Sequence, residues 1–275
     1  MAALLALVAA LLWGLGGFLG GQASRRAALI PVLAVELLVG TIVIIPLAFL
    51  TAHRFAWVDL LIGGAAGFFG LLGVTFLYRG LRGPMAAVAP VAGVVSASLP
   101  LLWGVGFGER LSAWQIYGVI LGLMSIVLIS DTGRALHRIS LGPLVNGVLA
   151  GAGFGVGYIV LDATDPLTAP WPILGARLLP AFAVCAVAFT AHQPPSAVGP
   201  ARLWSVGAGI STVLASVAFL AAINRGLLST SSVLSCLHPA VTVLLARLFL
   251  RERISPSQAT GLTVAVAAIS MITAG

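Results

Sequence analysis

Not one lysine occurs in this 275-residue chain, and aspartate and glutamate together number seven. Charged residues make up 8% of the sequence against 60% hydrophobic, too few polar side chains to cover a soluble domain of this size. Cysteine is nearly absent too. Cys185 and Cys236 lie inside apolar runs without CxxC spacing, which excludes a disulfide framework and a cysteine metal site. No Walker sequence, HExxH, GxSxG or acid cluster at metal-ligand spacing occurs, so neither catalysis nor ATP-driven pumping is expected and no cofactor is implied. Asp162 and Asp165 stand beside Pro166, where turn formation accounts for them. Met1 to Leu12 lacks the basic segment of a secretory signal, and further apolar runs follow it.

What fills the chain is long apolar sequence, with a mean hydropathy of +1.14. Runs long enough to cross a hydrocarbon layer of about 30 Å recur at 2–20, 30–50, 57–78, 84–107, 113–130, 143–161, 171–190, 202–223, 229–250 and 256–274. The expectation is an all-α polytopic membrane protein with ten transmembrane helices and a lipid bilayer as its surroundings. Pro90 and Pro100 are expected to interrupt the fourth run and Pro239 the ninth; the backbone groups they free must find partners in protein or water, so such broken helices tend to line cavities. The net charge of +7, all its cations arginine, would suggest nucleic acid in a soluble protein. Here most arginines sit at the ends of apolar runs, so topology and lipid headgroups explain them and no nucleic-acid partner is expected.

One sentence is written twice: Gly108-Glu109-Arg110-Leu111-Ser112-x-x-Gln115-x-x-Gly118 and Glu252-Arg253-Ile254-Ser255-x-x-Gln258-x-x-Gly261. Other landmarks repeat in the same order. Trp13-Gly14-Leu15-Gly16 matches Phe154-Gly155-Val156-Gly157, Pro31 matches Pro172, Glu36 falls on Arg177, and Arg79-Gly80-Leu81 matches Arg225-Gly226-Leu227. The expected organisation is two five-helix repeats, 1–132 and 143–275, joined by a linker at 133–142. An odd number of spans per half makes the second repeat enter from the opposite side, giving inverted repeats with a site between them. Repetition for packing alone is the other reading. Within each motif, Ser112 and Ser255 can cap a helix with Gln115 and Gln258 completing a capping box, and Pro256 suits the first helical position. Glu109 is expected to pair with Arg110 at the membrane surface. GxxxG pairs at Gly16/Gly20, Gly17/Gly21, Gly63/Gly67, Gly151/Gly155 and Gly153/Gly157 are spaced for close helix contact.

Ionisable residues inside spans are candidates for function. Glu36 and Arg177 are pseudo-symmetric partners that either couple and gate or form a packing ion pair. His238, before Pro239, either carries a proton near neutral pH or satisfies a carbonyl that the proline frees. Asn146, Asn224, Ser96, Ser98, Ser211, Ser216 and Ser235 offer hydrogen bonds to a solute or to another helix. Trp13, Phe18, Tyr78, Trp103, Phe154 and Tyr158 offer an aromatic wall suited to apolar or cationic solutes. Nine arginines fall in the odd-numbered connections and three in the even-numbered ones, a bias that places both termini outside.

The ten runs, the Trp13-Gly14 pair, the Gly-Glu-Arg-Leu-Ser-x-x-Gln-x-x-Gly motif at 108–118 and its echo at Leu248–Ile254 after Pro239 resemble the drug/metabolite transporter superfamily, EamA type. The resemblance covers the whole chain. It implies a carrier in the bacterial cytoplasmic (inner) membrane, one that exports amino acids or related metabolites by alternating access around a cavity lined by spans 1, 3, 4, 6, 8 and 9. On this chain that points to Trp13, Tyr78, Ser96, Phe154, Tyr158 and Asn224, with His238 of the ninth span beside them, and it moves Glu36 and Arg177 to the periphery. It also implies cytoplasmic termini, against the arginine count. Two departures stand out: Glu36 replaces an arginine frequent in relatives, and the usually basic loop after span two holds only His53 and Arg54. The partners expected are a small-molecule solute, protons as a coupling ion, and for the protein itself a monomeric or homodimeric state. A multidrug or quaternary-ammonium carrier is the alternative within this class, and a lipid-handling or structural membrane subunit the alternative outside it.

Overall fold

The structure is a computed structural model that describes residues 1–81, 85–129, 141–250 and 254–275, with side chains except at 78–81, 85–90 and 143. Its helices are α1 (Ala2–Ser24), α2 (Leu29–Thr51), α3 (Trp57–Leu81), α4 (Met85–Gly106), α5 (Ala113–Ile129), α6 (Leu141–Asp162), α7 (Trp171–Thr190), α8 (Arg202–Ile223), α9 (Leu228–Ser235), α10 (His238–Leu250) and α11 (Pro256–Ala274). No strand occurs among the described residues. A lipid-buried backbone has to satisfy its own polar groups, so apolar runs of this length become helices. Eight helical segments among the described residues are long and apolar enough to span a membrane, and Val91–Gly106 and Ala113–Ile129 are shorter apolar helices. Side chains such as Phe182 and Leu203, 82% and 84% exposed, face the surroundings as lipid-facing residues do.

Proline acts differently in the two runs where interruption is expected. The ninth run is broken: α9 ends at Ser235 and α10 restarts at His238. The fourth is not, and this corrects the sequence expectation, since α4 runs unbroken past Pro90 and Pro100. Pro100 deprives the Ser96 carbonyl, four residues earlier, of its helical N–H. That carbonyl faces Gly155 of α6, where a Cβ would stand only 3.3 Å away, so α6 presses against the site without a side chain that would force α4 apart.

Packing is chiefly between the halves of the chain. α1 lies on α8 as α6 lies on α3; α1 lies on α9 and α10 as α6 lies on α4; α2 meets α8 as α7 meets α3. The equivalent helices α2 and α7 pack on each other, and so do α5 and α11. The last pair is antiparallel: Gly118 at the start of α5 faces Ala268 and Ile272 at the end of α11, and Gly261 at the start of α11 faces Leu128 and Ile129 at the end of α5. Ser125 donates to the Gly261 carbonyl and Ser257 to the Leu128 carbonyl, each at 2.9 Å. Both expected capping boxes are present, Ser112 with Gln115 and Ser255 with Gln258.

Apolar burial gives helices little drive to associate in lipid, so close backbone approach and hydrogen bonds must supply it. Alternate glycines of α6 serve two neighbours, Gly151 and Gly155 facing α4 while Gly153 and Gly157 face α3. Gly16 and Gly20 face Thr212 and Ala208 of α8, whereas Gly21 meets nothing within 4 Å, so the Gly17/Gly21 pair makes no such seam. Hydroxyls stitch α1 to the second half, with Ser211 donating to Leu12 O at 2.7 Å, Thr242 to Gly14 O at 3.1 Å and Ser235 to Ala6 O at 3.2 Å. Bonds of this kind contribute about 0.6 kcal/mol each in a membrane interior.

Candidate functional site

Four rings from both halves meet in the interior. Trp13, at the middle of α1, stacks on Tyr158 of α6 at 5.7 Å and packs against Phe219 of α8 at 5.4 Å. The His238 ring lies 6.5 Å from Trp13, edge-on, and Tyr158 packs on Phe219 at 4.7 Å. His238 is held where the ninth run breaks. Its Nδ1 lies 3.3 Å from the Ser235 carbonyl, the acceptor that Pro239 leaves without a helical partner, so Nδ1 is the donor. This is the second of the two sequence readings of His238, the carbonyl freed by proline, with one ring nitrogen spent on the helix break and the other left over.

Trp13 Nε1, Tyr158 Oη and His238 Nε2 have no hydrogen-bond partner among the described residues. All three rings are only half-buried, and no buried side-chain polar atom among the described residues lacks a partner. The three polar edges therefore open onto accessible space. Phe219, fully buried, is the floor of the group and was missed in the sequence because its equivalent in the first half is Gly73, so the repeat gave no aromatic pair to notice.

The remaining candidates lie elsewhere. Ser96 is buried and spends its hydroxyl on Gly93 O at 2.9 Å and on Cys236 Sγ at 3.6 Å. Phe154 covers Gly73 in the α3–α6 seam. Asn224 ends α8, beyond Phe219, and no hydrogen bond to its side chain occurs among the described residues. The Tyr78 side chain lies outside the described residues. Glu36 and Arg177 flank α8: Thr212 Oγ1 donates to Glu36 Oε1 at 3.1 Å, and Arg177 donates to Ser216 Oγ at 2.9 Å. They do not form the direct ion pair that was one of the two sequence readings.

Glu109 also departs from expectation. Its carboxylate accepts from the backbone N–H of Leu228 at 2.7 Å and of Ser229 at 3.0 Å, capping the first turn of α9 rather than pairing with Arg110. A negative charge on a helix N-terminus satisfies free donors and meets the positive end of the dipole. Gly104 makes room for it, since a Cβ there would overlap that carboxylate. Glu109→Ala is expected to lower folding stability by about 1–2 kcal/mol, read as a lower melting temperature in detergent; an unchanged melting temperature would dismiss the cap. Glu252, its repeat partner, lies outside the described residues.

Asp59, which the sequence reading passed over, does comparable work at one end of the bundle. It is buried at the start of α3 and accepts from Thr168 Oγ1 at 2.7 Å and from Asp165 N at 3.3 Å, while Arg54 lies 3.7 Å from Asp165. These bonds tie the α2–α3 and α6–α7 connections together, a fixed corner rather than a site. Both cysteines are free, and no metal-binding cluster occurs among the described residues. A cleft of about 520 Å³ at the end of α7, lined by Cys185, Phe189, His192 and Pro194 among others, is open and belongs to the surface.

Interlocked apolar helices, eight of them among the described residues long and apolar enough to cross a lipid layer, mark a multi-pass membrane protein. The chain belongs to the EamA-like transporter family, whose sequence profile matches it twice, at residues 1–131 and 142–274. It is accordingly a membrane transporter of the drug/metabolite superfamily. A solved crystal structure of a protein superposes on it with a TM-score of 0.80, covering 99% of this chain and 96% of that chain at 21% identity, a likeness of fold. Comparison with curated proteins gives no match.

Proposed function

We propose that the protein is a secondary transporter or facilitator that moves a small organic solute, an amino acid or related metabolite, by alternating access around the Trp13–Tyr158–Phe219–His238 group. The observation that carries this reading is the set of three polar ring atoms without protein partners, placed where α1 of the first half meets α6, α8 and α10 of the second. A packing cluster would have no reason to leave them open. The halves, 1–132 and 143–275 joined by 133–142, act as inverted five-span repeats; the antiparallel α5–α11 pair and the exchange-invariant packing support that arrangement. Two such bundles can rock about the rings they share.

Uptake by proteoliposomes offered a pooled mixture of amino acids and organic cations, with and without an imposed pH gradient, tests the reading. Accumulation of at least one solute is expected, faster with the gradient if protons couple through His238. An inert result with every solute in the pool would overturn the carrier reading. Accumulation of organic cations alone would replace the metabolite reading with the multidrug one.

The bilayer is the bacterial cytoplasmic membrane, the direction export, and both termini cytoplasmic on the precedent of the family. The arginine distribution argues the other way. A phosphatase that folds only outside the cytoplasm, fused after Gly275, is expected to be inactive; an active fusion would reverse the orientation.

A further inference from the structure

The Glu36–Arg177 pair is the strongest feature that the aromatic group leaves unexplained. Both residues occupy inward-facing stripes. On α2 that stripe is Val32, Glu36, Gly40, Ile44 and Ala48; on α7 it is Ile173, Arg177, Ala181, Val184 and Ala188. All members but the two charged ones are buried. Glu36 and Arg177 alone stay half-buried, which means that a space large enough for water opens beside them in otherwise closed seams.

Opposite charges in an apolar interior gain most by collapsing into a direct, bidentate pair. These two do not: no Glu36–Arg177 nitrogen–oxygen distance falls within 4.0 Å. Each is held to α8 instead, Glu36 by Thr212 and Arg177 by Ser216. Ser216 is itself fixed, donating to Thr212 O at 2.9 Å. A guanidinium has five N–H donors and a carboxylate about four acceptor positions, and each has one side-chain hydrogen bond here. Their remaining capacity reaches open space, because no buried side-chain polar atom among the described residues is left without a partner. The groups around them are small: a Cβ at Gly20 would stand 3.9 Å from Glu36 Oε2, and one at Gly40 would stand 3.4 Å from Arg177 Cδ.

We infer that Glu36 and Arg177 form a clamp for the ammonium and carboxylate of a zwitterionic amino acid, an assignment that rests on the carrier reading above and narrows its substrate class. Thr212 and Ser216 are one turn of α8 apart, a rise of about 6 Å, so the hydroxyls that anchor the two charged heads are offset by about one turn. An α-amino group hydrogen-bonded to Glu36 and its own carboxylate hydrogen-bonded to Arg177, each bond about 2.8 Å long, bridge such a gap. A cation alone would meet Arg177 and an anion alone would meet Glu36, so the pair rejects singly charged solutes while its sum is neutral. Phe219 lies three residues past Ser216 on the same face of α8, so the aromatic group begins one turn from the clamp, where the solute's apolar side chain has its place.

The test is competition for uptake of a radiolabelled amino acid mixture into proteoliposomes. The competitors are the same amino acids unmodified, as amides lacking the carboxylate, and as N-acetyl derivatives lacking the ammonium. The wild type is expected to prefer the unmodified set at least tenfold over either blocked set. In Glu36→Gln the N-acetyl set is expected to gain on the unmodified one, and in Arg177→Gln the amide set. Blocked and unmodified sets competing equally in the wild type would overturn the clamp without recourse to any variant. Equal loss of all three sets in both folded variants would overturn it as well and leave a packing role. Transport of organic cations but of no amino acid would refute the clamp and keep the carrier; transport of nothing would refute the carrier reading itself.

Discussion

Gly63→Ala is expected to cost about 3 kcal/mol, the upper end for overpacking, while Gly70→Ala in the same helix is expected to stabilise by up to about 1 kcal/mol. The contrast follows from what each glycine faces. A Cβ at Gly63 would overlap the carbonyl of Pro172, one at Gly67 would overlap that of Ala176, and one at Gly175 would overlap that of Leu60. The α3–α7 crossing is thus backbone against backbone on both sides, and a carbonyl within a helix cannot swing aside as a side-chain tip can. Gly70 meets nothing within 4 Å, so its methyl would only restrict the unfolded chain and favour the helix. Gly63→Leu is expected to leave no monodisperse protein after extraction. Melting temperatures in one detergent decide the matter. Gly63→Ala melting with the wild type would remove the close crossing from the account of what holds the halves together.

The same crossing shows how far the sequence could be read. Gly63 and Gly67 are visible as a GxxxG pair, but so are Gly17 and Gly21, and spacing cannot say that the first pair faces carbonyls while Gly17 only touches the Thr242 hydroxyl and Gly21 faces open space. Helix ends were legible because Ser112, Gln115, Ser255 and Gln258 carry their own local hydrogen bonds, which depend on nothing distant. Proline was half legible. Pro239 and Pro100 read alike in a string of letters, yet the helix breaks at one and runs through the other. Glu109 was misread because its partners, the N–H groups of Leu228 and Ser229, are backbone atoms 119 and 120 residues away and leave no trace in side-chain patterning. In the aromatic group, Trp13 and Tyr158 stand out as rings beside glycines and His238 as a titratable group beside a proline. Phe219 is one apolar residue among many until α8 is laid against α1. Glu36 and Arg177 were found as symmetric partners; that each leans on α8 rather than on the other needs coordinates.

Tyr158→Phe is expected to reduce uptake at least tenfold with the melting temperature unchanged. A hydroxyl that bonds to no protein group contributes nothing to folding that phenylalanine would lose. Phenylalanine also keeps the stack on Trp13 at 5.7 Å and the contact with Phe219 at 4.7 Å. Whatever the hydroxyl does must then be done to a solute or to the water that the solute displaces, and one hydrogen bond of that kind is worth about 1–3 kcal/mol. Ser211→Ala supplies the opposite control. Its hydroxyl is bonded to the Leu12 carbonyl, so its loss is expected to lower the melting temperature before it touches transport. Paired measurements of uptake and melting on the two variants therefore separate a cavity wall from a packing cluster. A Tyr158→Phe protein that melts and transports like the wild type would return the four rings to the core and leave the seam beside Glu36 and Arg177 to be tested as the solute's path.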